Sequence, residues 1–183
     1  MFKKIQRLDD KVVDGIIKFR SPLKNKIMIA ASTAGNGGMI WFAICMPLLI
    51  YAPWRLIGVN IIFALAFTQL LCEVILKHIV RRERPVWKLP DQEQLIHRPK
   101  YYSFPSGHTS ASFCVVAVAF YRFPPLTALI ILVFAVMIAT SRVYLRVHYL
   151  SDVLVGAILG LLCGSASVSL FDRFVAMTAG LNL

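Results

Sequence analysis

Five stretches of mostly apolar residues constrain this sequence more than any other feature. The hydrocarbon core of a bilayer is about 30 Å thick, and a helix needs about 20 apolar residues to cross it. Stretches of roughly this length fall at 27–51, 56–79, 106–123, 126–141 and 149–171. Because 58% of the residues are hydrophobic and only 16% are charged, a water-soluble globular protein and a disordered chain are both excluded. The sequence predicts an all-α integral membrane bundle of about five transmembrane helices.

The N-terminal residues have a different pattern. Between Ile5 and Phe19, apolar residues recur at helical spacing with Lys, Arg and Asp between them. This pattern predicts an amphipathic helix lying in the membrane interface, and a surface helix packed on the bundle would explain it equally well. We therefore divide a single membrane domain, 1–183, into the N-terminal helix and linker, 1–26, and the transmembrane bundle, 27–183. The long polar loop, 85–104, lies within the bundle sequence.

The charge and the cysteines narrow the class of partner. A formal charge of +11 would suit nucleic acid, but the basic residues lie between apolar stretches, so the expected partner is the lipid bilayer and not nucleic acid. The four cysteines stand singly within those stretches without metal-ligand spacing, which favours small buried hydrophobic residues over disulfides or a zinc site. The first stretch begins with Ser, Thr, Asn and Gly residues, a composition that favours close helix packing.

Three clusters of polar residues lie at the ends of these stretches, and five spans would put all three on one face of the membrane. Ionisable groups at such positions are costly unless they pair or line a wet cavity, so they indicate function. Lys77 and Arg84 are seven residues apart, about two helical turns, and would form an anion clamp. Two alternatives remain for Lys77: its side chain could extend to the lipid phosphates, or it could pair with Glu73. Arg81 and Arg82 are expected to extend to the lipid phosphates.

The second cluster, Pro105 to His108, opens the third stretch. Gly107 allows a ligand to approach the backbone, and the start of a helix offers free N–H groups to a phosphate. Ser106 could join in phosphate binding or could simply cap the helix. His108 would then lie beside a bound anion, where it could donate a proton.

The third cluster consists of Ser141, Arg142, His148 and Asp152. His148 and Asp152 are four residues apart, which puts them on one face of a helix. A carboxylate that holds one imidazole nitrogen directs the other and makes it more basic, as a nucleophilic histidine requires.

Together, the three clusters resemble the signature motifs of the type-2 phosphatidic acid phosphatase family, the lipid phosphate phosphatases, in their order and spacing. This resemblance implies that His148 attacks phosphorus to form a phosphohistidine, that Asp152 orients it, and that His108 protonates the leaving oxygen. It also implies a set of phosphate-binding residues: Lys77, Arg84, Ser106, Gly107 and Arg142. The family works without a metal or other cofactor, and the acidic residues here are too few and too dispersed to suggest a magnesium site.

The resemblance implies a membrane lipid phosphate as substrate but not which one. Undecaprenyl diphosphate, phosphatidylglycerophosphate, phosphatidic acid and lipid A phosphate all fit, and the short loops favour a simple head group, with undecaprenyl diphosphate first. A lipid phosphotransferase and a non-catalytic lipid-phosphate binder or transporter are the alternatives.

The membrane face is ambiguous. Seventeen of the twenty basic residues fall on the same face as the clusters, so the positive-inside rule would turn this face toward the cytoplasm. The family instead places its site on the outer face. Either the N-terminal helix lies outside despite its charge, or it crosses the membrane, or the site faces inward. We expect the bacterial cytoplasmic membrane, with the site on the outer face.

Overall fold

The computed structural model describes residues 2–88, 90 and 93–180, and these confirm the all-α prediction. The eight α-helices of the described residues are α1 Phe2–Ile16, α2 Pro22–Ala34, α3 Met39–Ile50, α4 Arg55–Gln69, α5 Lys77–Val80, α6 Gly107–Arg122, α7 Pro125–Tyr144 and α8 Leu150–Gly180. A π-helical segment, Leu70–Leu76, joins α4 to α5, so that a continuous helical stretch runs over Ala52–Val80.

Among the described residues, three helices are long and apolar enough to cross a membrane: Ala52–Val80, α7 and α8. A fourth span results if α2 and α3, which meet at a bend of 54°, are taken together. The third expected span, 106–123, corresponds to α6, which has only 16 residues and carries polar residues in its first turns. Since most of α6 is buried among the other helices, it need not face lipid and so lacks the apolar length of a lipid-exposed helix.

The bend between α2 and α3 arises from glycine. Gly37 and Gly38 have φ values of +57° and +75°, a left-handed conformation that L side chains rarely adopt. The small residues of the first stretch were expected to serve helix packing. Gly35 does so, because a Cβ there would lie 2.9 Å from Ile138 Cγ2 and 3.0 Å from His108 Cδ2. Gly37 and Gly38 instead interrupt the span beside the start of α6.

A glycine face on α8 fixes the height of α6 in the bundle. Three glycines lie one turn apart on one face of α8: Gly156, Gly160 and Gly164. A Cβ on any of them would lie within 2.8 Å of a backbone carbonyl oxygen, that of Ser106, Ser110 or Cys114 respectively. Small residues at this spacing let helix backbones approach closely. The start of α6, which belongs to the second motif cluster, is thereby brought against the start of α8, where the third cluster ends.

The N-terminal helix α1 packs on α7 and α8 at the same end of the bundle. Asp9 and Val13 are buried in this contact, whereas Leu8 and Phe19 are exposed. Both expectations for the N-terminal segment therefore describe part of it: α1 is amphipathic, and it is also a helix packed on the bundle.

Candidate active site

The three motif clusters meet around one cavity of about 430 Å³ at the end of the bundle. Six of the eight predicted site residues line it: Lys77, Arg84, Gly107, His108, Arg142 and His148. The other two, Ser106 and Asp152, are completely buried behind the wall. Residues 96, 97, 99 and 101 of the long loop line the same cavity.

His148 turns one ring nitrogen toward a cation. Its Nε2 lies 3.0 Å from Arg84 Nη1, and since a guanidinium can only donate, Nε2 is the acceptor and carries a lone pair. Burial holds the pKa of His148 well below its usual value, and the charges of Arg84, Arg142 and Lys77 lower it further. The imidazole is therefore neutral at physiological pH, which is the form that can act as a nucleophile.

Asp152 lies on the opposite side of this imidazole. Its Oδ2 is 3.7 Å from His148 Nδ1, which is too long for a hydrogen bond. The same Oδ2 accepts from the backbone N–H of Tyr149 at 2.9 Å, and Oδ1 accepts from Arg82 Nη1 at 2.6 Å. Asp152 therefore lies beside His148, as expected, but its hydrogen bonds go to other donors and His148 Nδ1 accepts or donates none among the described residues.

The guanidinium of Arg84 links the long loop to Val147, the residue before His148. It donates to the carbonyl oxygens of Tyr101 at 2.6 Å, Tyr102 at 3.1 Å and Val147 at 2.9 Å. Burial lowers the pKa of Arg84 to about 10, which leaves it charged near neutral pH. Arg84 therefore positions this wall of the cavity in addition to carrying charge.

Lys77 is paired rather than extended to the lipid surface. Its Nζ lies 2.6 and 2.7 Å from the two carboxylate oxygens of Glu73, one turn earlier in the π-helical segment. The Glu73 carboxylate also lies against Gly107, because a Cβ on that glycine would be 1.9 Å from Glu73 Oε1. A carboxylate thus occupies space between the Lys77 ammonium and the start of α6.

Replacement of Gly107 by alanine is expected to raise KM by about tenfold or more with little loss of thermal stability, since small displacements in a preorganised site are costly. The added methyl group would push the Glu73 carboxylate from its place and narrow the cavity, but the displaced group is the end of a flexible side chain, so the fold should survive. Steady-state kinetics and thermal unfolding would test this. The matched control is Gly15→Ala, where nothing lies within 4 Å of the new Cβ. An unchanged KM for Gly107→Ala would contradict the expectation that Gly107 belongs to the phosphate-binding residues.

The bend between α2 and α3 supplies two site residues that the sequence analysis missed. His108 Nε2 lies 2.8 Å from Asn36 Oδ1, and Arg142 Nη1 donates to Ser32 Oγ. Both partners come from the cluster of small and polar residues that opens the first apolar stretch. That cluster was the available signal, because Asn in a membrane helix is expensive unless it has a partner.

Ser106 is buried and does not line the cavity. It is the N-cap residue of α6, but its side chain makes no capping hydrogen bond. Instead, Ser106 Oγ accepts from Thr109 Oγ1 at 2.9 Å, and its backbone N–H donates to the Asp152 carbonyl oxygen at 3.1 Å. Ser106 thus connects α6 to the start of α8.

Arg82 was expected to extend to the lipid phosphates, and this expectation is wrong. Its guanidinium points inward and contacts Asp152 and Asp9, with Nη2 of Arg82 2.7 Å from Asp9 Oδ2. No signal in the sequence indicates this, because the contact depends on where α1 docks.

The cavity is surrounded by the imidazole of His148 and the three cations Lys77, Arg84 and Arg142, all of which come from the three motif clusters. Comparison with known proteins identifies the family to which these motifs belong. The model of the PAP2 superfamily matches residues 57–176. The chain belongs to the PAP2 superfamily. It is an enzyme of the membrane phosphatase class, embedded in the bilayer through its apolar helices.

Two solved PAP2-type structures share its fold. Aquifex aeolicus LpxE superposes with a TM-score of 0.77 at 28% identity, over 88% of this chain and 95% of that one. The PAP2-type phosphatidylglycerolphosphate phosphatase from Bacillus subtilis superposes with a TM-score of 0.76 at 28% identity, over 93% of this chain and 87% of that one.

Curated relatives include enzymes named for different lipids. Phosphatidylglycerophosphatase B of Bacillus subtilis is 29% identical over 86% of this chain and 80% of its own length. The undecaprenyl-diphosphatase of Sulfolobus acidocaldarius is 29% identical over 74% of this chain and 65% of its own length.

Proposed function

We propose that this PAP2 enzyme hydrolyses the phosphate or pyrophosphate head group of a membrane lipid through a phosphohistidine formed on His148, without a metal ion. The observation that carries the proposal is the position of His148, which lines one cavity together with Lys77, Arg84 and Arg142 and whose Nε2 accepts from Arg84 Nη1 at 3.0 Å. Oriented positive groups of this kind stabilise the charge of a phosphoryl group during transfer.

The first step transfers the phosphoryl group to the enzyme. The lone pair of His148 Nε2 forms a bond to phosphorus while the bond from phosphorus to the lipid oxygen breaks, and His108 donates a proton to that oxygen. Arg84 must then shift its Nη1 from Nε2 to a phosphoryl oxygen, while Lys77, Arg142 and the Gly107 N–H hold the other oxygens, with Ser106 nearby. Asp152, 3.7 Å from Nδ1, stabilises the positive charge that the ring acquires.

The second step regenerates the histidine. Water attacks the phosphorus of the phosphohistidine, His108 takes a proton from this water, and the N–P bond breaks to release inorganic phosphate. The 2.8 Å contact to Asn36 Oδ1 fixes the ring of His108 at the cavity wall and so supports its part in both proton transfers.

Among lipid substrates we favour undecaprenyl diphosphate, with phosphatidylglycerophosphate next and phosphatidic acid and lipid A phosphate as further candidates. A cavity lined by Lys77, Arg84 and Arg142 suits a compact phosphate group, while the exposed apolar side chains of the spans would keep the lipid tail in the bilayer. A competition assay with these four lipids in identical micelles, ranked by kcat/KM, would test the order. A clear preference for one of the other three would overturn it.

Phosphate release from the same lipids in the presence of EDTA would test the catalytic proposal itself. We expect full activity, since positive side chains take the role of a metal. Absence of release from every lipid would favour a binding or transport protein, and loss of activity in EDTA would refute metal independence. Thin-layer chromatography with a second lipid present would reveal transfer to that lipid instead of to water.

We place the site on the outer face of a bacterial cytoplasmic membrane. Four of the basic residues on this face, Lys77, Arg84, Arg142 and Arg146, are buried in the protein and so contribute little to a loop-charge argument for orientation. A cysteine introduced at the exposed position Lys100 should react with a membrane-impermeant maleimide in intact cells. The four native cysteines are all buried, so labelling would report on the introduced cysteine. Labelling only after permeabilisation would refute this orientation.

Replacement of Glu73 by glutamine is expected to strengthen inhibition by vanadate about tenfold. The Glu73 carboxylate pairs with Lys77 and lies against Gly107. Its negative charge would repel an anion that binds there, and the repulsion between like charges is large at contact distance. Glutamine keeps an acceptor for Lys77 without the charge. The inhibition constant of vanadate measures the effect, and the exposed Glu83→Gln serves as control. Weaker inhibition would instead show that the Glu73 charge positions the clamp.

A further inference from the structure

The carboxylate behind the nucleophile is connected to the N-terminal helix through one arginine. Arg82 Nη1 donates to Asp152 Oδ1 at 2.6 Å, and Nη2 donates to Asp9 Oδ2 on α1 at 2.7 Å. Asp152 is completely buried and Asp9 nearly so. A buried carboxylate is tolerated only when charged partners and hydrogen bonds compensate it, so Arg82 is the charge that keeps both carboxylates in place.

Further contacts fix the position of this arginine. Arg82 Nη1 also donates to Ser151 Oγ at 2.7 Å, and Nη2 donates to Gln6 Oε1 at 2.7 Å. The guanidinium stacks over the ring of Tyr149 at 4.0 Å from its centroid. Tyr149 follows His148 directly in the chain, and its N–H donates to Asp152 Oδ2. Arg82 therefore contacts both Tyr149, the residue after His148, and Asp152, the carboxylate beside the imidazole.

Asp9 completes the cluster from the side of α1. Its Oδ1 accepts from the backbone N–H of Ser151 at 3.0 Å, and its Oδ2 accepts from the Ser151 hydroxyl as well as from Arg82. Ser151 and Asp152 open α8, so the position of α1 determines the position of the first turn of α8. The contact is polar and buried, unlike the apolar packing around Val13.

We propose that Arg82 and Asp9 are positioning residues for Asp152, so that the amphipathic helix α1 takes part in the chemical step. This inference rests on the proposed phosphohistidine chemistry. Asp152 lies beyond hydrogen-bond distance of His148 Nδ1, and it can stabilise the phosphorylated ring only if its place and charge are fixed from behind. Neither Arg82 nor Asp9 lines the phosphate cavity, so both act through Asp152.

The test separates chemistry from binding in three variants. Arg82→Gln and Asp9→Asn should each lower kcat, by about 10²-fold and about tenfold, by analogy with the partners that orient metal ligands, whose loss typically costs about 10- to 100-fold. KM and the vanadate inhibition constant should change less than about threefold. Arg82→Lys should recover part of the kcat lost in Arg82→Gln, since it restores a charge beside Asp152 but cannot bridge both carboxylates.

The matched control is Asp10→Asn, which changes the exposed neighbour of Asp9 on the same helix and should keep the wild-type kcat. Thermal unfolding of each variant identifies any that fails to fold. If Arg82→Gln does not fold, Asp9→Asn and Arg82→Lys carry the test. Wild-type kcat in folded Asp9→Asn, or an equal fall in kcat and vanadate affinity, would overturn the inference. Inactivity of the wild-type enzyme on all four lipids would instead overturn the proposed function.

Discussion

The His148→Ala variant is expected to lose lipid phosphate hydrolysis by roughly 10³-fold or more, the scale seen when a nucleophile is removed. His148 Nε2 carries the lone pair that would attack phosphorus and lies beside the Arg84 guanidinium. Alanine has no atom that could replace it. No phosphorylated enzyme should accumulate in the variant. In the wild type, rapid quenching with labelled substrate should trap a phosphoenzyme that is stable to alkali and labile to acid, as phosphoramidates are.

The control for this variant is His78→Ala. His78 is exposed, and its Nδ1 contacts the carbonyl oxygen of Val74 in its own helix at 2.8 Å, so its loss should leave turnover unchanged. Thermal unfolding would verify that both variants fold. Retained hydrolysis in folded His148→Ala, or a phosphoenzyme still trapped there, would show that the nucleophile is another group.

The Arg84→Lys variant should lose on the order of 10²-fold or more in kcat/KM although it keeps its positive charge, similar to removal of a preorganised donor. The planar fork of Arg84 reaches three carbonyl oxygens and His148 Nε2 at once. A lysine ammonium is a point charge with one nitrogen and cannot hold this arrangement or grip two phosphoryl oxygens. The long loop and the residue before His148 would both lose their attachment.

The measurement is kcat and KM on a detergent-solubilised lipid phosphate, with vanadate inhibition alongside. Arg81→Lys is the control, because Arg81 is exposed and its Nε donates only to the carbonyl oxygen of His78 among the contacts described. An Arg84→Lys variant with near wild-type kcat/KM would mean that Arg84 acts through charge alone.

The order and spacing of the motifs were sufficient to predict which side chains meet. Lys77, Arg84, Gly107, His108, Arg142 and His148 all line one cavity, as expected from three clusters at the same ends of apolar stretches. The expectation was possible because a membrane helix has a fixed length and direction, so that position along the chain gives depth in the bilayer. Their individual roles stay predictions.

Other features of the site depend on contacts between distant parts of the chain. The polar start of the first apolar stretch was visible, but its bend at Gly37 and the contact of Asn36 with His108 were not. Apolar length alone also did not show that α6 lies inside the bundle, where its polar first turns face protein rather than lipid.

The sequence by itself determined that this chain is an all-α membrane protein whose three motif clusters lie at one end, because apolar length and motif spacing are local properties. Only the tertiary structure decided how the buried charges are paired. Arg82 turns inward to Asp9 and Asp152 instead of outward to lipid, since α1 docks beside α8 and supplies a carboxylate there. Pairing of buried charges depends on which distant segments come within a few ångströms, and spacing along the chain does not contain that information.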